Sequence, residues 1–126
     1  MTDIQRLAEA VEALTAALGP SPAPARVVSG EPRCAELVLV DHPGLEVGLW
    51  EVTAGEFVST KAEVGEVMHF LSGAGRIVHP DGSETEIARG VTLSLKAGWS
   101  GRWDVTETVR KVYVIYRAER DAGGAS

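Results

Sequence analysis

The stretch from Gly55 to Val105, GEFVSTKAEVGEVMHFLSGAGRIVHPDGSETEIARGVTLSLKAGWSGRWDV, decides the fold. Short alternating runs are closed by glycines. Glu66 to Leu71 runs into Gly73-Ala74-Gly75, a glycine pair suited to a tight bend. Arg76 to His79 and Glu84 to Ala88 flank Pro80-Asp81-Gly82, a strong hairpin signal. Val91, Leu93 and Leu95 alternate with Thr92 and Ser94, so one face of that run is apolar and the other polar. The pattern continues outward. Phe57 to Lys61 precedes this block, and before it Leu45 to Thr53 sets Val47, Leu49 and Glu51 on one face and Gly48, Trp50 and Val52 on the other. Glu36 to Val40 comes first, broken by Asp41-His42-Pro43-Gly44. Arg102 to Thr106 and Val109 to Arg117 follow. Many short strands with regular turn glycines predict an all-β barrel or sandwich.

The N-terminal segment reads differently. Ile4, Leu7, Val11, Leu14 and Leu18 recur three and four residues apart, one narrow apolar stripe on a helix. Thr2 and Gln5 have capping-box spacing, and Gly19-Pro20 supplies the stop. The expectation is an amphipathic helix over residues 1–19, packed on the outside of its own barrel or against a second subunit. Residues 20–33, rich in Pro, Ser and Ala, read as an extended linker. The barrel is expected over 34–120 and a fraying tail over 121–126.

At 126 residues the chain is one domain with room for a core. Cys34 is its only cysteine, so neither an intramolecular disulfide nor a thiolate zinc knuckle can form. Twelve Lys+Arg against eighteen Asp+Glu give a net charge of −6. With no basic run, neither nucleic acid nor an anionic membrane is an expected partner. The N-terminus has neither the charge pattern of a signal peptide nor the length of a membrane span. A cytoplasmic protein is the expectation.

Glu66 followed after six residues by Gly73, and Gly90 followed by Lys96-Ala97-Gly98, are spaced as in the two cupin motifs. The chain from about Val47 to Arg117 resembles the small single-domain cupins similar to ureidoglycine aminohydrolase and the ethanolamine-utilisation cupin. Carrying the likeness are Glu66, Leu71, Gly73, Ala97-Gly98-Trp99, Gly101, Trp103-Asp104-Val105 and the run from Thr106 to Tyr113. The resemblance implies a cupin-type double-stranded β-barrel, or jelly roll. It also implies a metal site, which the residues do not supply. The two histidines of the first motif fall at Thr60 and Ala62, or at Ser59 and Lys61, and the histidine of the second falls at Gly101. A first-row metal wants three or four converging imidazole and carboxylate donors. His42 and His79 each precede a proline and are expected at the surface, and strand alternation turns His69 away from Glu66.

With Glu66 facing inward, Met68 and Phe70 share its parity, and Trp99, Gly101, Trp103 and Val105 share that of the lost histidine. By analogy with the branch, Lys111 and Tyr113 also face inside. The candidate acid–base pair is Glu66 and Lys111, and the candidate ligand contacts are Met68, Trp99, Trp103, Tyr113, Thr60 and Lys61. Apolar walls with a few polar groups make a small-ligand site. The plainer reading of Glu66 and Lys111 is a buried ion pair that fills the barrel. The favoured expectation is a homodimeric cupin, without metal or other cofactor, that binds a small polar metabolite; isomerisation or hydrolysis is the chemistry its acid–base pair would allow, and whether it catalyses a reaction is left open by the sequence. A metal-dependent aminohydrolase or dioxygenase with atypical ligands, and a non-catalytic module recruiting a partner through the N-terminal helix, stand as alternatives.

Overall fold

The C-terminal run Val109-Arg110-Lys111-Val112-Tyr113-Val114-Ile115 is rich in β-branched residues, which suit a pleated, half-buried surface. In the computed structural model, which describes residues 8–117, this run is the spine of the fold. Nine strands are present: β1 (Gly19–Ser21), β2 (Arg26–Gly30), β3 (Cys34–His42), β4 (Leu45–Val52), β5 (Gly55–Thr60), β6 (Val64–Val78), β7 (Glu84–Ile87), β8 (Thr92–Leu95) and β9 (Ser100–Arg117). Every pairing is antiparallel. β9 pairs with β6 along its length, with β5 through its first residues and with β4 through its last. The path β1-β3-β4-β9-β5-β2, with β6 carrying β7 and β8, makes an all-β cupin-type sheet curved into a half-barrel.

Two runs expected as separate strands are joined. β6 continues through Gly73-Ala74-Gly75, and β9 continues through Thr106 to Thr108. The glycines bend the strand instead of ending it: the register between β6 and β9 shifts three times between Phe70 and Gly75. Gly73 takes a φ of 107°, and a Cβ there would lie 2.5 Å from the Val109 Cα, so backbone meets backbone at a point where only glycine fits. The Pro80-Asp81-Gly82 turn forms as expected, with the His79 N–H donating to the Ser83 carbonyl at 2.8 Å.

The N-terminal helix is not found. Residues 1–7 lie outside the described residues, and residues 8–18 hold a single turn, in which the N–H groups of Thr15 and Ala16 both donate to the Glu12 carbonyl. Of the described residues of the stripe, Val11 is 37% and Leu14 57% exposed, so neither is buried. The physical reason is competition for carbonyls. Arg110 Nη1 donates to the Ala13 and Ala16 carbonyls at 3.0 Å each; the Ala13 carbonyl is the acceptor a helix would give to the Ala17 N–H, and Ala16 has no helical donor because Pro20 carries no N–H. A short segment has little cooperativity with which to resist. The stretch read as a linker is extended, but it is also paired: β1 lies along β3 and β2 along β5. Residues 118–126, including the expected tail, lie outside the described residues.

The core sits on the concave face. Val52, Phe57, Met68, Phe70, Ile77, Ile87, Leu95, Trp103, Val105, Val109 and Tyr113 are buried there in one cluster. The parities assigned from sequence to β6 and β9 are those observed, and Glu66 and Lys111 are the buried charged residues among those described.

Candidate functional site

Alternation on β6 delivers Glu66, Met68 and Phe70 to the concave face, and alternation on β9 delivers Lys111, Tyr113 and Ile115 beside them. The register pairs Glu66 with Ile115, Met68 with Tyr113 and Phe70 with Lys111. The lysine stem therefore runs back along β6 past Met68, whose sulfur lies 3.8 Å from Nζ, and ends on Glu66. Lys111 Nζ is 2.6 Å from Glu66 Oε2. Lys61, immediately after β5, brings its Nζ to 2.7 Å from Glu66 Oε1. Its own N–H donates to the Trp99 carbonyl at 2.7 Å, which ties down the backbone that presents it. One carboxylate is thus clasped by two ammoniums.

The Lys111 head is also boxed by aromatic faces, 4.5 Å from the Trp50 ring centroid, 4.9 Å from Trp103 and 6.0 Å from Tyr113. The ring quadrupoles favour a cation there. Trp103 in turn stacks on Phe57 at 5.7 Å and meets Trp50 and Phe70 edge-on. Burial pushes the Glu66 carboxyl up, but the field of Lys111 and then of Lys61 outweighs it and holds Glu66 below its ordinary range. Burial holds the Lys111 ammonium below the usual lysine range; Glu66 opposes that shift and Lys61 adds to it. The nearby Cys34 thiol is pushed up by burial and stays protonated.

Lys61, Glu66, Lys111 and Tyr113 line a cavity of about 200 Å³ together with Glu36, Glu46, Trp50, Phe57 and Trp103. Tyr113 Oη donates to Glu46 Oε2 at 2.6 Å and Ser21 Oγ to Glu36 Oε1 at 3.2 Å. Burial and the bond to Glu46 push the Tyr113 phenol far above its ordinary range, so it remains a neutral donor. Gly48 makes room for it: a Cβ there would lie 2.7 Å from the phenol oxygen.

Of the residues chosen from sequence, Glu66, Lys111, Lys61, Trp103 and Tyr113 come together around this cavity. Three do not line it. Met68 packs beneath Lys111 and is buried. Thr60 is exposed and hydrogen-bonds Ser100 at 3.3 Å. Trp99 shares the parity of Trp103 but folds over Gly101, filling the space a side chain there would need. Its Nε1 donates to His79 Nδ1 at 3.0 Å. His79, expected at the surface, is therefore half-buried; its Nε2 sits 2.7 Å from Thr85 Oγ1, which places the ring proton on Nε2. Sequence reading missed Trp50, Glu46, Glu36 and Phe57. The signal for two of them was there, because Glu46 and Trp50 share the parity of Gly48 on β4, a glycine that leaves room above the sheet.

The metal site of the wider superfamily does not fit these residues. Among the described residues no three His, Cys, Asp or Glu side chains converge. Glu66 has both oxygens held by ammoniums, whose charge repels a further cation. Likewise, no helix among the described residues is long and apolar enough to cross a membrane.

Residues 44–113, more than half of the chain, match the model of the EutQ-like cupin domain, and the chain belongs to that family. Its fold is similar to that of a DUF861-family protein of unknown function from Pseudomonas syringae pv. tomato str. DC3000, with 28% identity and a TM-score of 0.73 over 79% of this chain. The chain spans only 44% of that protein's length. The EutQ protein of Clostridium difficile is similar at 22% identity and a TM-score of 0.60, covering 71% of each chain. An ectoine synthase from P. lautus shares the fold at 19% identity and a TM-score of 0.60, over 73% of this chain and 68% of that one. No curated protein matches the chain.

Proposed function

We propose that the half-barrel binds a small polar organic molecule and moves a proton on it between Glu66 and Lys111, without a metal. The observation that carries this reading is the Lys61–Glu66–Lys111 cluster on the wall of a cavity of about 200 Å³. At about 30 Å³ per water, that is the volume of roughly seven waters, enough for a small metabolite. A carboxylate and an amine 2.6 Å apart, with pKa values both displaced by burial and by each other, are the partners that general acid–base catalysis requires. Glu46, fixed by the Tyr113 hydroxyl, adds a carboxylate acceptor to the cavity.

Trp50 and Trp103 line the site, so intrinsic fluorescence reports occupancy. In a screen of small polar metabolites, a ligand should quench wild type and lose at least tenfold in affinity in Lys111→Met. Equal affinity in both proteins would take the cavity out of the function.

We also propose that the chain is a homodimer. In support, β2 is an edge strand with Val27 and Val28 at 45% and 55% exposure, a surface of the kind that pairs with another chain. A monomer mass by light scattering at micromolar concentration would count against it.

A further inference from the structure

We propose that Lys111 is an amine nucleophile that captures a small aldehyde or ketone in the cavity as a Schiff base. The inference rests on the reading of the cavity as a small-molecule site and names the substrate class. Lysine amines become nucleophiles in two settings, desolvated in an apolar pocket or beside another cation. Lys111 has both. It is 5% exposed beneath Trp50 and Trp103, and it shares Glu66 with Lys61.

Geometry indicates which ammonium gives up a proton. Glu66 is shared by both lysines and cannot fully compensate either, and buried charge is costly. Loss of one ammonium proton leaves a Lys61–Glu66 pair beside a neutral amine. The ammonium that gives up its proton more readily is that of Lys111, whose side chain is 6% exposed against 17% for Lys61. The displacement of the Lys111 ammonium below the lysine range has the same sign. The other charged or titratable groups facing the head come from β3, β4 and its own strand. Glu36 is bonded by Ser21, Glu46 is bonded by Tyr113, and the Cys34 thiol is buried.

The step balances without an oxidant or reductant. The Nζ lone pair adds to the carbonyl carbon, and the C=O π pair moves to oxygen. Glu66 Oε2, 2.6 Å from Nζ, takes the proton shed by nitrogen and returns it to that oxygen, giving a carbinolamine. The nitrogen lone pair then forms C=N as the hydroxyl leaves with a proton as water. The iminium stands where the ammonium stood, against Glu66 and between two indole faces.

The chain offers three lysines, Lys61, Lys96 and Lys111, and Lys96 is exposed; it serves as an internal control. The full-length protein is incubated with acetaldehyde, glycolaldehyde or pyruvate and sodium borohydride, and adducts are located by intact mass and peptide mapping. The expected result is reductive labelling of Lys111 at least tenfold faster than of Lys96, lost in Lys111→Met. Lys61→Met should shift the pH of half-maximal labelling upward, because the second cation no longer helps displace the proton. This variant keeps the inference testable should Lys111→Met fold poorly.

Labelling at Lys96 and the N-terminus at equal or greater rates, or a labelling pH unmoved by Lys61→Met, overturns the proposal. Fluorescence without reductant separates the two levels. Quenching by these carbonyls with no adduct at Lys111 defeats the nucleophile while the binding site stands. A cavity that no small polar molecule quenches defeats both.

Discussion

Replacing Glu66 by Gln isolates what the buried cluster does for stability. The amide keeps the volume and one acceptor oxygen, so one ammonium retains a partner while the other faces an NH₂ group. Lys61, partly exposed, can swing to water; Lys111, enclosed by Trp50, Trp103 and Met68, cannot. Breaking one side of a buried ion pair costs about 3–5 kcal/mol. For a chain of this size that is a fall in Tm of roughly 12–20 °C, taking about 4 °C per kcal/mol. The double variant Glu66→Gln, Lys111→Met removes both charges and should recover most of the loss.

The pH dependence has a definite sign. In Glu66→Gln the folded pKa of Lys111 falls further below the unfolded value of about 10.4. Between those values the unfolded chain binds more protons, so stability climbs as pH rises from the lowered folded value toward about 10. In wild type the Glu66 carboxyl is held below its ordinary range. Its contribution is therefore full above about pH 4.3 and is lost as pH falls through the lower folded value. Urea unfolding followed by fluorescence and circular dichroism reads both limbs. A loss under about 1 kcal/mol in Glu66→Gln, far below the usual cost of breaking a buried pair, with no alkaline recovery, would refute the buried-cluster account.

Three further changes probe the surroundings. Tyr113→Phe deletes the 2.6 Å bond to Glu46 and should cost about 1.5–3 kcal/mol by urea unfolding, as for hydrogen bonds to charged groups. In a Tyr116→Phe background, ultraviolet titration should show no phenolate near the ordinary pKa of about 10; ionisation there would contradict the Glu46 contact. Gly48→Ala sets a Cβ 2.6 Å from the Leu37 carbonyl and 2.7 Å from Tyr113 Oη, and should lower stability by about 1–3 kcal/mol, as other overpacking does, together with weaker ligand quenching. Arg110→Ala frees the Ala13 and Ala16 carbonyls, so limited proteolysis between residues 8 and 18 should accelerate while the sheet resists; unchanged cleavage would show that the arginine does not hold the segment.

The sheet was legible because its information is local. Period-two alternation around Glu66 and Lys111 assigns faces, and turn residues such as Pro80-Asp81-Gly82 assign connections. Less legible was whether a glycine bends a strand or ends it. Gly73 reads alike in both cases, and only the close approach of Val109, distant in sequence, distinguishes them. The N-terminal stripe misled for a related reason: periodicity reports what a segment could bury, but Arg110, nearly a hundred residues away, holds its carbonyls. At the site, the inward parity of Glu66 and Lys111 came through, whereas the further carboxylates did not. Glu36 and Glu46 sit on strands that alternate imperfectly, and their facing depends on the pairing of β3 with β4 and of β4 with β9.

The central claim is that two lysines, not a metal ion, complete Glu66. Elemental analysis of protein purified without an affinity tag addresses it directly. The account predicts no first-row metal in stoichiometric amount, and the same trace content in Glu66→Gln. One equivalent of manganese, iron, nickel or zinc per chain, lost when Glu66 is replaced, would contradict it.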